Sequence, residues 1–324
     1  MKRHLAIAIA IGATAGALSG LLHWNEGSDL TQNIRAAEVW LAGGDPYTVR
    51  HGPFPLFYPF TAVLLAVPLA LGSVPEFWFV GLGIGLYVWA VLRQPRWSPP
   101  ALLVLLTPAM VELVRAAQWS ALMTGAALVP ALGFVLACKP TIGAALWIGF
   151  PSTRALVGGA VFVLASFVIY PPWPWQWLTA LQEMRHIQAP ITFWGGPLIL
   201  LALLRWRHWE ARLLLALACV PQSQFYYDLW PLFLIPRTGE QATVLMGLSW
   251  AAVALQGQIT GDLVATTEAA YFRERFWVGQ LSLLLVYFPC LWMVLKQREP
   301  SAVNIGPLVA IGPAWRSLKR RGAA

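Results

Sequence analysis

The chain has 324 residues, of which 58% are apolar and only 11% charged, with a formal net charge of +8 and a mean hydropathy of +0.62. This composition excludes an ordinary soluble domain and indicates a multi-pass membrane protein. The positive charge does not indicate nucleic-acid binding, because no soluble stretch carries a basic stripe interleaved with aromatic residues.

Apolar runs recur along the chain at lengths close to that of a membrane span. A helix crosses a hydrocarbon core of about 30 Å with about 20 residues. We therefore predict an all-α bundle of about ten to twelve helices. A single transmembrane domain is expected over residues 1–296, with a first external loop at 23–55 and a basic cytoplasmic tail at 297–324. The apolar runs are 5–22, 56–72, 77–92, 101–114, 120–137, 140–150, 155–170, 196–204, 211–220, 229–236, 242–256 and 277–295.

Basic residues predict the orientation of the chain, because they collect on the cytoplasmic side of a membrane. The first run follows Lys2 and Arg3, which favours an uncleaved anchor with its N-terminus inside; a cleaved signal peptide is the alternative. Strict alternation then places both termini in the cytoplasm of a protein of the inner (plasma) membrane. The basic tail is expected to lie against anionic membrane lipids. Alternation also puts Arg93 and Arg96 in one outer loop, where they indicate either a miscounted pair of spans or an anionic ligand.

The first external loop contains apolar residues at helical spacing. The spacing predicts a short amphipathic helix that lies along the membrane interface. Asp29 precedes this helix and Gln32 follows three positions later, which is a capping-box arrangement. Capping and a catalytic role are both open for Asp29. The periodic residues are Leu30, Ile34, Ala37 and Leu41.

Glycines and a turn motif follow the amphipathic helix. Gly43 and Gly44 are expected to end it. Asp45-Pro46-Tyr47 predicts a turn in which the Asp45 side chain accepts backbone hydrogen bonds. The chain then returns to the membrane at Tyr58. For Tyr47 and Tyr58, interfacial anchoring is the simplest role, and a place in a substrate pocket is the alternative.

Alternation collects the ionisable and polar groups at one membrane face. Such a distribution favours a site at the lipid–water boundary, whereas a transport pathway places charge near the midplane. The cysteines Cys138, Cys219 and Cys290 are scattered and lack the spacing of a disulfide framework or a zinc site. The outer groups are Asp29, Asp45, Tyr47, His51, Lys139, His186, Tyr226, Tyr227 and Asp228.

The loop from Pro171 to Trp194 is rich in tryptophan. A tryptophan belt at the interface is the simplest interpretation. The alternative is a groove in which the rings contact a ligand. The tryptophans are Trp173, Trp175, Trp177 and Trp194.

The order of these motifs resembles glycosyltransferase family 87. The stretch from Ser28 to Tyr58 carries an acidic residue after the first helix, an amphipathic stretch, a G-G-D-P-Y turn and a Tyr-Pro pair. The resemblance extends over residues 1–240. The further matches, in chain order, are Pro108 ahead of Ala117-Gln118-Trp119, then Lys139-Pro140, then Tyr227-Asp228-Leu229 running into Leu234-Ile235-Pro236.

The resemblance implies a GT-C fold and transfer of a hexose, expected to be mannose, from a polyprenyl-phosphate donor. The acceptor would be a lipid or an envelope glycan on the external face, with inversion at the anomeric carbon. Asp29 stands where the family has its catalytic aspartate and is the expected general base. Lys139, which has no acidic neighbour in the sequence, is the main candidate to bind the donor phosphate, with His186 and Arg93 as further candidates. The expected substrate pocket contains Asp45, Tyr47, Tyr58, Gln118, Tyr227 and Asp228.

The sequence also departs from the family pattern. Ala117 stands where the family usually has Gly, Phe60 where a second Pro is common, and the chain is shorter than most members. These departures favour an alternative, a non-catalytic membrane subunit that keeps the fold and binds a membrane protein partner. A transporter would predict inverted repeats, which we do not find. No cofactor is required, because the donor carries one phosphate and the first loop has no DxD pair; a divalent metal stays open.

Overall fold

Helices make up nearly all of the regular structure in the computed structural model, which confirms a mostly helical fold. The structure describes residues 2–22, 29–51, 54–72, 76–94, 99–183, 188–221, 226–260 and 276–297. The α-helices are α1 (Lys2–Leu22), α2 (Asp29–Leu41), α3 (Phe60–Ala70), α4 (Phe77–Leu92), α5 (Pro108–Arg115), α6 (Ser120–Leu128), α7 (Pro140–Gly149), α8 (Thr153–Ile169), α9 (Trp173–Glu183), α10 (Trp209–Cys219), α11 (Gly239–Thr260) and α12 (Phe276–Lys296).

Short 3₁₀ helices connect or extend many of these elements. Proline occupies one of the first two positions in all but the last of them. Proline suits the first turn of a helix, because the N–H that it lacks would have no partner there and its φ is already helical. A two-stranded antiparallel hairpin pairs β1 (Arg50–His51) with β2 (Phe54–Pro55). The 3₁₀ helices are Pro46–Thr48, Pro100–Leu106, Pro130–Cys138, Pro190–Thr192, Gly196–Arg205 and Tyr226–Leu234.

Two helices among the described residues, α1 and α12, are long and apolar enough to cross a membrane. The pair α8 and α9 adds a third if it is counted as a single span, although the two helices are bent by 102° at their junction. Several other helices are apolar but shorter than a bilayer requires. Membrane association is consistent with these helices, and the predicted number of spans stays a prediction.

Helices α1 and α4 pack closely as an antiparallel pair. A Cβ on Gly12 would lie 2.6 Å from the carbonyl oxygen of Gly81, so only glycine permits this approach. Gly20 lies against Phe77 at the start of α4, and Gly85, further along α4, lies against Ala8. The start of α4 is therefore beside the end of α1, and Arg93, which follows α4, lies at the N-terminal end of α1.

Helix α3 begins and ends beside α2, which corrects the predicted alternation. The Phe60 ring packs edge-on against Trp40 with 5.3 Å between centroids. After α3 the chain returns, and the Thr31 hydroxyl of α2 donates to Glu76 Oε1 at 2.6 Å. The predicted span at 56–72 therefore does not carry the chain to the other end of the bundle. Arg93 was misplaced because a short apolar run does not reveal which way the chain leaves it.

A second correction concerns the apolar run 120–137, which was predicted as one span. Helix α6 runs alongside α4 in the same direction, from Trp119 beside Phe79 to Leu128, whose carbonyl accepts from Gln94. The 3₁₀ helix Pro130–Cys138 then returns to the starting end of the bundle. One predicted span is thus two shorter passes. The two corrections offset each other, so from Lys139 onward each segment still begins at the end of the bundle that was predicted for it.

The predicted helix of the first loop, its glycine end and the Asp45 turn are confirmed, whereas the predicted apolar face is only partly buried, since Leu41 is 45% exposed. Helix α2 buries Leu30 and Ala37. Gly43 adopts a left-handed φ of +81° after the helix, and a Cβ on Gly44 would lie 2.9 Å from the Val39 side chain. The Asp45 carboxylate accepts from the Tyr47 N–H at 2.8 Å, as the turn motif predicts. Residues 23–28, Arg96, His186 and the tail from residue 298 onward lie outside the described residues.

Candidate active site

Four polar side chains from distant parts of the sequence meet at the α2 end of the bundle. The Tyr58 hydroxyl donates a hydrogen bond to Asp29 Oδ2. Lys139 Nζ lies 3.8 Å from the same carboxylate oxygen and donates to Asp228 Oδ1 at 3.3 Å. We call Asp29, Tyr58, Lys139 and Asp228 the ion cluster. Lys139 has no acidic neighbour in the sequence, and both of the carboxylates that it meets in the fold are remote from it in the chain.

Each member of the ion cluster is held at or near the beginning of a helix. Asp29 is the first residue of α2, and Asp228 lies in the first turn of Tyr226–Leu234. Carboxylates are favoured there by the partial positive charge of a helix N-terminus. Lys139 directly precedes α7, where that same charge disfavours a cation. The two carboxylates offset this repulsion, so the helix geometry and the ion pairs together fix Lys139 in place.

Aromatic rings enclose the Lys139 ammonium on further sides. Nζ lies 5.0 Å from the centroid of the Tyr227 ring and 5.9 Å from that of Tyr58, within the range of cation–π attraction. Burial, together with the negative charge of Asp29, raises the pKa of Tyr58 well above its usual value of 10. The Tyr58 hydroxyl is therefore protonated at neutral pH and acts as a hydrogen-bond donor to Asp29.

The members of the ion cluster differ in their contact with solvent. The Asp228 side chain is 2% exposed, that of Lys139 11% and that of Asp29 19%. Asp29 is therefore the carboxylate that a substrate reaches most easily, and Asp228 lies behind the lysine. Two carboxylates and one ammonium give the cluster one formal negative charge. Within the described residues, no three metal-ligating side chains come together.

Asp45 and Tyr47 support the ion cluster without joining it. The Tyr47 hydroxyl donates to the backbone carbonyl of Tyr58 at 3.1 Å. The Asp45 carboxylate accepts from Gln176 Nε2 at 2.8 Å and from the Tyr170 hydroxyl at 3.3 Å. Asp45 thus ties the turn to α9, and Tyr47 transmits that support to the backbone that carries Tyr58. Their predicted place in a substrate pocket stays a prediction.

The tryptophan-rich loop divides into buried and exposed rings. Trp173 is buried, and the Trp177 Nε1–H donates to the Phe57 carbonyl at 2.9 Å, which fixes the residue next to Tyr58. Trp175 and Trp194 are each 71% exposed. The exposed rings fit an interfacial belt, whereas Trp177 positions the strand that leads into the ion cluster.

The segment between α5 and α6 brings Trp119 to the ion cluster, which sequence reasoning did not predict. The Trp119 ring lies 6.1 Å from the Tyr58 ring with 29° between planes and meets Phe79 edge-on at 4.9 Å. Ala117, two residues earlier, has a positive φ of 42°, a conformation that favours glycine. Ala117 therefore adopts a left-handed backbone conformation that glycine usually occupies.

Replacing Ala117 with glycine is expected to stabilise the protein by about 1 kcal/mol, because it relieves the strain of an alanine in the left-handed region. Thermal unfolding in detergent measures the effect. Ala116→Gly is the matched control, since Ala116 has an ordinary φ of −106° and gains nothing from glycine. Equal shifts in the two variants would contradict a strained Ala117.

Two predicted interactions are not found at this site. Arg93 is exposed and lies over the Trp89 ring at 4.7 Å. It follows Phe79 by 14 residues on α4, about 21 Å at 1.5 Å per residue, so it is remote from the ion cluster. Gln32 Nε2 donates to the Phe54 carbonyl instead of completing a capping box, and the Asp29 carboxylate faces Tyr58. His186 lies outside the described residues.

No family model, no curated protein and no solved structure matches the chain. The chemistry of the ion cluster therefore has to be argued from its own residues.

Proposed function

We propose that the protein is a membrane glycosyltransferase of the GT-C type that transfers a hexose, most simply mannose, from a polyprenyl phosphate to a lipid or envelope-glycan acceptor. The observation that carries this proposal is the meeting of Asp29, Tyr58, Lys139 and Asp228, which come from separate segments of the chain. A carboxylate beside an ammonium at the end of a helical bundle supplies a base and a cation within a few ångströms of each other.

The proposed reaction uses Asp29 as the general base. The acceptor hydroxyl attacks the anomeric carbon of the donor sugar while Asp29 takes the hydroxyl proton. A bond forms between the acceptor oxygen and the anomeric carbon, and the bond from that carbon to the phosphate oxygen breaks. The polyprenyl phosphate leaves with the bonding electron pair. The Tyr58 hydrogen bond holds the Asp29 carboxylate in one orientation for this transfer.

Lys139 is proposed to contact the donor phosphate. Of its three N–H donors, one is directed to Asp228, and Asp29 lies at 3.8 Å, beyond a good hydrogen bond. A phosphate oxygen can therefore bind the ammonium without displacing Asp228. The beginning of α7 beside Lys139 adds its own attraction for an anion. Charge stabilisation of a leaving phosphate is a common source of catalysis.

The proposal includes a location and a membrane arrangement. The site would lie at the outer face of the inner membrane, with both termini cytoplasmic. Arg93 at the N-terminal end of α1 supports this arrangement, because it joins Lys2 and Arg3 at the end remote from Asp29. The donor and the acceptor are then the partners at the site, and the reaction needs no cofactor.

Transfer of labelled hexose in membranes that contain the wild-type protein tests the function. Membranes would be supplied with polyprenyl-phosphate hexoses, and lipid and glycan acceptors would be separated and counted. Labelled acceptor that depends on the protein supports the proposal. No transfer across several donors and acceptors would overturn it and favour the non-catalytic subunit, which binds a membrane protein partner.

A further inference from the structure

Three consecutive residues at the start of α6 carry buried polar atoms that lack a hydrogen-bond partner among the described residues. They are Gln118 Oε1, Trp119 Nε1 and Ser120 Oγ. Gln118 is 3% exposed, and Trp119 and Ser120 are fully buried. The Gln118 Nε2 is partnered, since it donates to the Ala116 carbonyl at 3.3 Å. The segment therefore contains three groups without a partner in the described part of the chain: the Gln118 amide oxygen, which accepts, the Trp119 N–H, which donates, and the Ser120 hydroxyl, which does both.

Such a concentration of unpartnered groups is costly in a folded protein. Each buried polar group without a partner costs about 1–3 kcal/mol, and more than 90% of buried groups are satisfied in native structures. The preceding residue, Ala117, adds backbone strain at its positive φ. Strain and unpartnered groups that occur together are typical of a segment that is shaped for a ligand.

The segment lies directly against the ion cluster. Trp119 stacks on Tyr58, and the Tyr58 hydroxyl donates to Asp29. The Phe79 ring also packs edge-on against the Trp119 ring and helps to hold it in place. A ligand that contacts this segment is therefore adjacent to the proposed base.

The set of polar atoms indicates which kind of ligand fits. A carboxamide oxygen accepts a hydrogen bond, an indole N–H donates one, and a serine hydroxyl does both. A sugar hydroxyl also donates and accepts, so it can pair with any of these three kinds of group. A phosphate offers no proton to the Gln118 oxygen when it is fully ionised. The segment thus suits a neutral polyhydroxylated group, whereas the Lys139 ammonium suits the phosphate.

We propose that Gln118, Trp119 and Ser120 form the subsite that binds the hydroxyl groups of the transferred sugar. The inference rests on the proposed function and deepens it, because it separates sugar recognition from phosphate recognition within one donor. Sugar selectivity then depends on the start of α6, and polyprenyl-phosphate binding depends on Lys139.

The test compares two lipids, undecaprenyl phosphate and its mannosyl ester, for binding to purified protein in detergent. The measured quantity is the ratio of their dissociation constants, compared between each variant and the wild type, so that phosphate and chain contacts that the variants leave unchanged cancel. Trp119→Phe keeps an aromatic ring and removes the N–H, and Ser120→Ala removes the hydroxyl. Each variant is expected to lower the preference for the mannosyl lipid by about 3- to 10-fold, as the loss of one hydrogen bond predicts.

Controls separate the two proposals. Trp147→Phe also removes an indole N–H, but this one donates to the Ser152 carbonyl at the far end of α7, so the ratio should stay at the wild-type value. If Trp119→Phe and Ser120→Ala keep the wild-type ratio while the wild type transfers sugar, the subsite is overturned and the function stands. If the wild type neither transfers sugar nor distinguishes the two lipids, both proposals are overturned.

Discussion

Replacing Asp29 with asparagine is expected to lower the rate of sugar transfer by about 10²- to 10⁴-fold, the usual contribution of a general base. The amide has nearly the shape of the carboxylate, and its oxygen can still accept from Tyr58. It cannot take the proton of the acceptor hydroxyl. Initial rates of labelled hexose transfer, measured at saturating donor, report this loss as a fall in kcat.

Glu38→Gln is the matched control for Asp29→Asn. Glu38 is an exposed carboxylate on the same helix, α2, so this variant changes the charge of the helix without touching the ion cluster. Its transfer rate should equal that of the wild type. Wild-type rates in Asp29→Asn, with equal amounts of folded protein, would remove Asp29 from the reaction and leave it as a partner of Tyr58 and Lys139.

Replacing Lys139 with methionine is expected to destabilise the protein by about 3–5 kcal/mol, because it leaves a buried carboxylate without its cation. Asp228 is the residue affected most, since its side chain is 2% exposed and lies 3.3 Å from the ammonium. The more accessible Asp29 can recover solvent contact. Thermal unfolding in detergent, followed by intrinsic fluorescence, should show a clear fall in the midpoint.

The double variant Lys139→Met with Asp228→Asn separates stability from function. Removing both charges avoids burying a carboxylate that has lost its cation, so most of the lost stability should return. Sugar transfer should stay low, because the phosphate has lost its ammonium. A double variant that regains both stability and transfer would show that Lys139 serves only to neutralise Asp228.

Sequence reasoning predicted the first loop well because its signals are local. The helical spacing of α2, the glycines after it and the Asp45 turn each depend on neighbouring residues. It failed for α3 and for the run 120–137, because the direction of a short apolar segment is set by what it packs against. Gly12 on α1 and Gly81 on α4 allow these two helices to pack closely, which fixes the direction of α4. The sequence does not reveal this, because it does not show that the two helices meet.

The candidate site was predicted residue by residue but not as an arrangement. The resemblance to known glycosyltransferases singled out Asp29, Lys139 and Asp228, yet the contacts of Lys139 with the two carboxylates join residues that are about 90 and 110 positions apart, which no local pattern encodes. Trp119 was missed because a tryptophan beside an apolar helix is an ordinary core residue. The substitution of alanine for glycine at position 117 was the one local signal that this segment is unusual.

The formal negative charge of the ion cluster has a consequence for product release. A donor phosphodiester brings one negative charge, whereas the free polyprenyl phosphate carries about −1.5 to −2 at pH 7. In the proposed reaction Asp29 would be neutral while it holds the proton from the acceptor, so the cluster would tolerate the product at first. Once that proton departs, Asp29 and Asp228 would both repel the more highly charged phosphate across Lys139. Deprotonation of the base would then expel the spent carrier and prepare the site for the next donor.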